Sequence, residues 1–456
     1  MEDNLKKTLQ YIESEIIDQY VYDESTRPWI IGFSGGKDST MLLQMVWYAI
    51  KKIPKELLNR HIYIVCNDTL VENPKVVDFI RNTLALIRKA AKDQHLPITV
   101  HETVPILNET FWFNVIGKGY PAPTRTFRWC TDRLKIKPTT KFILEKINKE
   151  GEAIILLGTR SDESANRARS IKKHTQEGSR LRKHALPNAF VYSPISDLLT
   201  EEVWLYLASV PAPWGGNHHR LITLYRNASG GDCPLVIDTS SPSCGKSRFG
   251  CWVCTVVKRD KSMEALIDHG EEWMLPLLDI RDFLLETREN GEKYRSKTRR
   301  NGSSKEGQYG PYLPETRYEI LKRLLIAQRE IQQNDKSFEL ISQQELTAIQ
   351  VFWIRDNIFD YRVTDLYNEI FHDKINIIRN PQNQELEDSI LLESCDSDRS
   401  ISTLIEDLLE LEQSKNLLKR KKGIKNDIDA RLEQYLKENL NTVDKKLLSA
   451  LDVERE

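Results

Sequence analysis

Apolar residues come along this chain in short runs that alternate with longer amphipathic stretches. Pro28-Trp-Ile-Ile-Gly-Phe33 is a compact apolar run ending in a Gly-rich turn, and Met41 to Ile50 then shows helical spacing. His61-Ile-Tyr-Ile-Val-Cys66 repeats the strand pattern before a mixed-charge helical stretch from about Pro74 to Lys92. Pro97-Ile-Thr-Val-His101 and Ala153-Ile-Ile-Leu-Leu-Gly158 continue the alternation. Strands separated by helix-length segments predict an α/β fold with a doubly wound parallel sheet, because parallel neighbours need a crossover long enough to hold a helix. Residues 1–20 read as a first helix, and Pro194 to Leu207 as a loop entering another.

From about Asn217 to Ser262 the periodicity fails and Gly, Ser, Pro and Cys dominate. Helical spacing returns in Met263 to Glu289, Arg317 to Gln333 and Ser342 to Arg355, the last opened by Ser342 with Glu345 three residues on, a capping-box pattern. The expected organisation is a nucleotide-binding α/β domain over residues 1–216, a Cys-rich segment over 217–262, a helical region over 263–380 and a charged helical region over 381–456. That last region is acidic from Glu385 to Glu412 and basic from Lys415 to Lys425. Solvated helix faces and a linker explain such a charge pattern more simply than a partner does.

Composition narrows the class. Lys and Arg total 66 against 67 Asp and Glu, which excludes a uniformly basic nucleic-acid coat but not local basic patches. No window approaches the roughly 18 uninterrupted apolar residues that would span a bilayer, and the N-terminus has no apolar h-region. A cytoplasmic protein without a membrane partner is expected. The seven cysteines agree: the number is odd, and four crowd between Cys233 and Cys254, a poor disulfide framework but a good metal-site candidate.

Ser34-Gly-Gly-Lys-Asp-Ser39 follows the first expected strand and opens a helix, the context in which a Gly-rich loop binds phosphate. Gly35 and Gly36 let the backbone turn and approach an anion, and amides at the helix start favour its negative charge. The kinase-type P-loop does not fit. It needs Gly where this chain has Ile31, and Ser or Thr after the Lys, where it has Asp38. The hexapeptide instead resembles the pyrophosphate loop (PP-loop) of adenine-nucleotide α-hydrolases, which cleave ATP between its α and β phosphates. That resemblance implies that Ser34, Gly35, Gly36, Lys37, Asp38 and Ser39 bind ATP, that Asp38 helps hold Mg²⁺, and that AMP is transferred with release of pyrophosphate.

Three further clusters appear in order. They are Asn67-Asp68-Thr69, Arg128-Trp-Cys-Thr-Asp-Arg-Leu-Lys135 and Gly158-Thr-Arg-Ser-Asp-Glu-Ser-Ala-Asn-Arg167. They resemble patterns of the phosphoadenylylsulfate (PAPS) reductase family and fall at carboxyl ends of expected strands, where ligands sit in open α/β sheets. Asp68, Gly158 and Arg160 thereby join the nucleotide site, while Lys135, Arg160 and Arg167 become candidates for substrate phosphates. In the reductases a Cys-Cys pair stands where this chain has Trp129-Cys130. Cys130 is therefore open between a cluster ligand, a sulfur-accepting catalytic thiol and an ordinary half-buried cysteine.

Cys233, Cys244, Cys251 and Cys254 lie on a segment without its own apolar pattern, as expected where bonds to a metal replace a core. Zinc usually takes two close Cys pairs and only Cys251-x-x-Cys254 qualifies, while a thioredoxin-like pair would open a helix after a strand. A [4Fe–4S] cluster suits the irregular spacing best. Basic residues outnumber acids from Arg160 to Lys183 and from Lys293 to Lys305, a pattern that suits contact with backbone phosphates and that solvated loops also show.

Taken together, Ser34-Gly-Gly-Lys-Asp-Ser-Thr40, the Gly158 to Ser170 segment and the run from Cys233 to Ile267 closely resemble the DndC family, ATP pyrophosphatases and sulfurtransferases of bacterial DNA phosphorothioation. The resemblance covers roughly residues 10–330. It implies adenylylation of a DNA backbone oxygen, replacement of that oxygen by sulfur from a cysteine desulfurase, and assembly with other Dnd subunits. A tRNA-thiolating PP-loop enzyme, a PAPS reductase-like enzyme and an inactive scaffold are the alternatives.

Overall fold

The computed structural model describes residues 3–23, 25–163, 165–174, 179–228, 250–299, 302–304, 307–356, 358, 360–372, 395, 398–417 and 428–436. Two compact units divide the chain: Met1–Phe111 with Ala122–Glu286, and Trp112–Pro121 with Thr287–Glu456. Among the described residues no helix is long and apolar enough to cross a membrane.

The first unit is built on a six-stranded sheet. Its strands are β1 (Trp29–Gly32), β2 (Ile62–Asn67), β3 (Ile98–Thr103), β4 (Ala153–Leu156), β5 (Arg182–Lys183) and β6 (Ala189–Tyr192), in the order β3-β2-β1-β4-β6-β5. All neighbours pair in parallel except β5, which runs antiparallel along β6. The two last strands were not expected from the sequence. Ala-Phe-Val-Tyr is only four residues long, and β5 consists of two basic residues with no apolar signature.

Alternation along the central strands sorts side chains to the two faces. Trp29 and Ile31 join a core with α1 (Asp3–Val21), α2 (Lys37–Lys52) and α3 (Pro74–Asp93), whereas Ile30 and Ile155 pack on Phe142, Ile143 and Ile147 of α4 (Lys137–Glu150). Helices thus cover both faces, as a parallel sheet requires. The chain further contributes α5 (Ala165–His174), α6 (Thr200–Ser209), α7 (His219–Asn227), α8 (Lys261–Asp268) and α9 (Leu275–Glu289). The single helical stretch expected from Met263 to Glu289 is two helices. Gly270, at φ +102°, takes a conformation that ends the first, and a short 3₁₀ turn leads into the second.

Charge is buried in this core only where it is matched. The guanidinium of Arg60, wholly buried, donates to Asp23 Oδ2 at 3.0 Å and to the Asp23 and Ser25 carbonyls at 3.0 Å each, tying the start of β2 to the end of α1. On α2, buried Gln44 donates to the carbonyls of Val210 and Pro211 and pairs with buried His218 at 2.5 Å. With two carbonyls taking the Gln44 amide protons, its oxygen is the acceptor and His218 Nε2 carries a proton.

The second unit centres on a π-helical turn, Phe113–Gly117, and on α10 (Gly291–Tyr294), α11 (Pro314–Gln332), α12 (Gln343–Arg355), α13 (Val363–Phe371) and α14 (Arg399–Leu417). Trp353 Nε1 donates to the Ile116 carbonyl at 2.9 Å, and buried Arg317 to that of Gly117 at 3.0 Å. The Ser342/Glu345 capping box opens α12 as its spacing predicts. Most of the 381–456 region lies outside the described residues.

Burial pushes the His218 imidazole down to about 4 from 6.5. In that window the unfolded chain takes up a proton that the folded chain refuses. Stability therefore rises with pH through it and is lost as the pH falls towards 4, by up to roughly 3 kcal/mol. His218→Gln keeps a donor to Gln44 but cannot titrate. Its urea midpoint should lose less than that of the wild type between neutral pH and pH 4; parallel profiles would contradict the assignment.

Candidate functional site

The order of strands reverses between β1 and β4, and the loops leaving these two strands meet at that switch point, the place where open α/β sheets bind ligands. Residues 34–39 leave β1 into α2. Gly35 sits at φ +71°, and a Cβ there would come within 2.5 Å of Ile80, so both conformation and space demand glycine. Ser39 Oγ accepts from Ser34 N at 3.2 Å and donates to the Gly36 carbonyl at 3.0 Å, closing the loop on itself. The Lys37 amide points at the Tyr225 hydroxyl of α7 at 3.4 Å, so Tyr225 stands at the helix N-terminus.

A chain of charges crosses the switch point. Lys37 Nζ lies 2.8 Å from Asp38 Oδ2, and Asp38 Oδ1 accepts from Arg160 Nε at 2.6 Å. Arg160, from the loop after β4, is wholly buried; its other nitrogens donate to the Leu198 carbonyl at 2.8 Å and Thr200 Oγ1 at 3.0 Å. Thr200 in turn donates to Asp162, whose carboxyl is held below the usual range first by that hydrogen bond and further by Arg160. Gly158 permits the approach, since a Cβ there would lie 2.8 Å from the Asp38 carbonyl oxygen.

A second cluster assembles beyond the end of β2. Asp68 Oδ1 accepts from the Leu70 amide at 2.8 Å, turning the chain so that Glu72 bridges Cys251 and Val71 accepts from Trp252 N at 3.0 Å. Thr69 Oγ1 lies 3.5 Å from Cys251 Sγ. Lys135, on a second π-helical turn (Thr131–Ile136), reaches Glu72 at 3.5 Å.

The electrostatics tie the groups together. Burial pushes the Cys251 thiol up to about 11, with Lys135 opposing. Burial and then the neighbouring Cys254 raise Cys130. For Lys135, burial disfavours the charge, but Cys251 and Glu72 outweigh it and hold the ammonium above its usual range. Behind the pair, buried Arg281 of α9 donates to the carbonyls of Cys254 (3.3 Å), Val257 and Lys258 (2.8 Å), fixing the loop that follows.

The expected nucleotide residues Ser34 to Ser39, Asp68, Gly158 and Arg160 thus all fall at carboxyl ends of strands. Cys130, Lys135, Cys251 and Cys254 gather in the second cluster. Cys233 and Cys244 lie outside the described residues, as does the side chain of Arg167 in α5. Among the described residues no group of three or more His, Cys, Asp or Glu is arranged to hold a metal ion, so Cys251 and Cys254 are the part of the expected ligand set that is described. Trp129, next to Cys130, is buried and stacks on Phe111 at 5.4 Å. Cys66 and Cys395 are buried, and burial first, then nearby carboxylates, push Cys66 up to about 12.

Tyr225, Glu72 and Arg281 escape sequence reasoning. Only Arg281 leaves a signal: it follows Leu277 and Ile280 and precedes Leu284 at helical spacing, a charge on an apolar face.

Over 193 residues the chain is 30% identical to an uncharacterized protein of Methanocaldococcus jannaschii, a match covering 42% of this chain and only about a third (34%) of that relative. Among solved structures, a phosphoadenylyl-sulfate reductase from Candida auris shares 13% identity and a TM-score of 0.28 over 47% of this chain and 90% of that one. The U34-tRNA thiolase NcsA from Methanococcus maripaludis, with its [4Fe-4S] cluster, shares 14% identity and a TM-score of 0.30 over 66% of this chain and 85% of that one. The model of the phosphoadenosine phosphosulfate reductase domain matches residues 28–257, half of the chain, and the chain belongs to that family.

Proposed function

We propose that the chain is a sulfurtransferase of DNA phosphorothioation, similar to DndC, which uses ATP to adenylylate a non-bridging oxygen of the DNA backbone before sulfur replaces it. The observation that carries this reading is the placement of two chemistries on one sheet edge: the phosphate loop at the end of β1, and a cysteine pair clamped to the segment that leaves the neighbouring strand β2.

ATP's pyrophosphate would lie against the Gly35 and Gly36 backbone and the start of α2. Both Asp38 oxygens are engaged, one by Arg160 and one by Lys37. If the Lys37 ammonium turned to the phosphates, Asp38 Oδ2 would be free to hold Mg²⁺, which would supply charge neutralisation for the departing pyrophosphate. Arg160, buried and fully partnered, acts through Asp38 by fixing its carboxylate, and Lys135 is the exposed base for the substrate phosphate. AMP would turn a poor oxygen leaving group into a good one, so that sulfide, freed from the desulfurase's persulfide by a thiol that leaves as the disulfide, would attack phosphorus and expel AMP without a general base.

The Lys135 ammonium opposes the burial that holds the Cys251 thiol neutral and so favours the thiolate form that ligates a cluster, and the donor chemistry fits one. Cys251 and Cys254, with Cys233 and Cys244 of the sequence, would hold a [4Fe–4S] group, which would supply a binding place for sulfide. Cys130, an electrostatic neighbour of Cys254, would serve as either a further ligand or the sulfur acceptor. DNA, a cysteine desulfurase and other Dnd subunits are the partners, and the cytoplasm is the site of action.

Lys37→Ala should reduce Mg²⁺-dependent pyrophosphate release from ATP by about a hundredfold or more; release at the wild-type rate would remove the loop from the mechanism. Anaerobic purification should yield a brown protein with broad visible absorption that Cys254→Ser bleaches, whereas a colourless protein with stoichiometric zinc would replace the cluster by a zinc site. Mass spectrometry of nuclease-digested genomic DNA is the decisive measurement: phosphorothioate dinucleotides should vanish in a deletion strain, and their persistence would refute the DNA role.

A further inference from the structure

Between buried Pro123 and buried Trp129 the chain forms a tight turn whose tip, residues 125–128, is exposed. Both ends are anchored. Thr255 Oγ1 donates to the Pro123 carbonyl at 2.8 Å, and Trp129 stacks on Phe111. The turn is closed from inside, with Thr124 N donating to the Phe127 carbonyl at 3.2 Å and the Phe127 amide donating to Thr124 Oγ1 at 3.0 Å. A rigid base therefore presents Arg125, Phe127 and Arg128 to solvent, and 44% of Phe127 is accessible.

Charge bookkeeping around the turn singles out these two arginines. Arg133 pairs with Glu109 at 2.6 Å, Lys135 with Glu72, and Lys137 with both Glu109 at 3.3 Å and Asp132 at 3.6 Å, so that three carboxylates meet these three cations. Arg125 and Arg128 make no ion pair among the described residues, and the turn itself holds no carboxylate. An exposed aromatic residue flanked along the turn by two exposed arginines that make no ion pair among the described residues complements a ligand in which flat faces alternate with negative charges. Single-stranded nucleic acid has that alternation, since each base offers a π-face and each linkage a phosphate. In a duplex the base faces are stacked on each other and the ring has nothing to cover.

We propose that the 124–128 turn is a nucleotide grip that takes an unpaired DNA base on Phe127 and its flanking phosphates on Arg125 and Arg128, delivering the strand to the cluster that begins at Cys130. The inference rests on the DNA reading above and adds to it that the substrate is locally unpaired when bound.

The test is fluorescence anisotropy of the purified full-length protein with a labelled short single-stranded DNA, the corresponding duplex and an RNA of the same sequence, each over a range of salt. Single-stranded DNA should bind more tightly than duplex. Phe127→Ala should weaken it by about tenfold or more, and Phe127→Trp should retain wild-type affinity or exceed it. Arg125→Ala and Arg128→Ala should each lower the slope of log affinity against log salt by about 0.7. All three side chains are exposed, so unchanged melting temperatures separate these effects from unfolding. Wild-type affinity and salt slope in all the alanine variants would overturn the grip while leaving the DNA reading intact. Binding of RNA with refusal of both DNA forms would overturn the DNA reading and the inference with it.

Discussion

The site depends on the absence of a side chain at Gly158. With its α-carbon so near the Asp38 carbonyl that a methyl group could not be inserted, the loop leaving β4 is pressed against the first turn of α2. Arg160, two residues further on, can then reach Asp38 with its ε-nitrogen while its remaining donors are satisfied by Leu198 and Thr200. A residue with a Cβ at 158 would push the two loops apart and leave a guanidinium buried without its carboxylate, one of the costlier defects a protein interior can carry. Steric closeness of two backbones thus comes first, and the charge arrangement at the phosphate loop follows from it.

The same economy recurs elsewhere in the sheet-bearing unit. Arg60 and Arg281 are buried as completely as Arg160, and each spends its planar set of donors on carbonyls as well as a carboxylate. Such an arginine works as a fixed multi-point clamp, which a lysine could not imitate. Lys135 is the contrasting case. Half exposed and held as an ammonium by a carboxylate and by thiols, it has a single long contact to Glu72 where the arginines have several short ones.

Much of the framework is legible in the chain itself. Four strands, the Gly-rich loop and the Ser342/Glu345 cap depend on local periodicity and local chemistry, which the order of residues carries directly. What is not legible is pairing over distance. The segment containing Arg160 stands out by its motif, yet nothing in sequence says that its guanidinium turns inward to Asp38 instead of outward to a ligand. Cys130 and Cys254 are more than a hundred positions apart, and only the folded sheet makes them electrostatic neighbours. The strand Ala189–Tyr192 escapes because four residues are too few to display a period, and the break near Gly270 because apolar spacing continues on both sides of it.

The π-helical turn Phe113–Gly117 has a consequence for anyone dividing this chain. It sits in sequence within the sheet-bearing unit but belongs by packing to the helical one, where Phe113 meets Phe352 edge to face and Trp353 takes the Ile116 carbonyl. A fragment ending at Glu286 would keep the strap and lose its cover. Trp112, Phe113, Val115 and Ile116, all buried in the intact chain, would be left bare on the truncated one. Such a fragment invites self-association, so a single cut after Glu286 does not divide the chain along its two units.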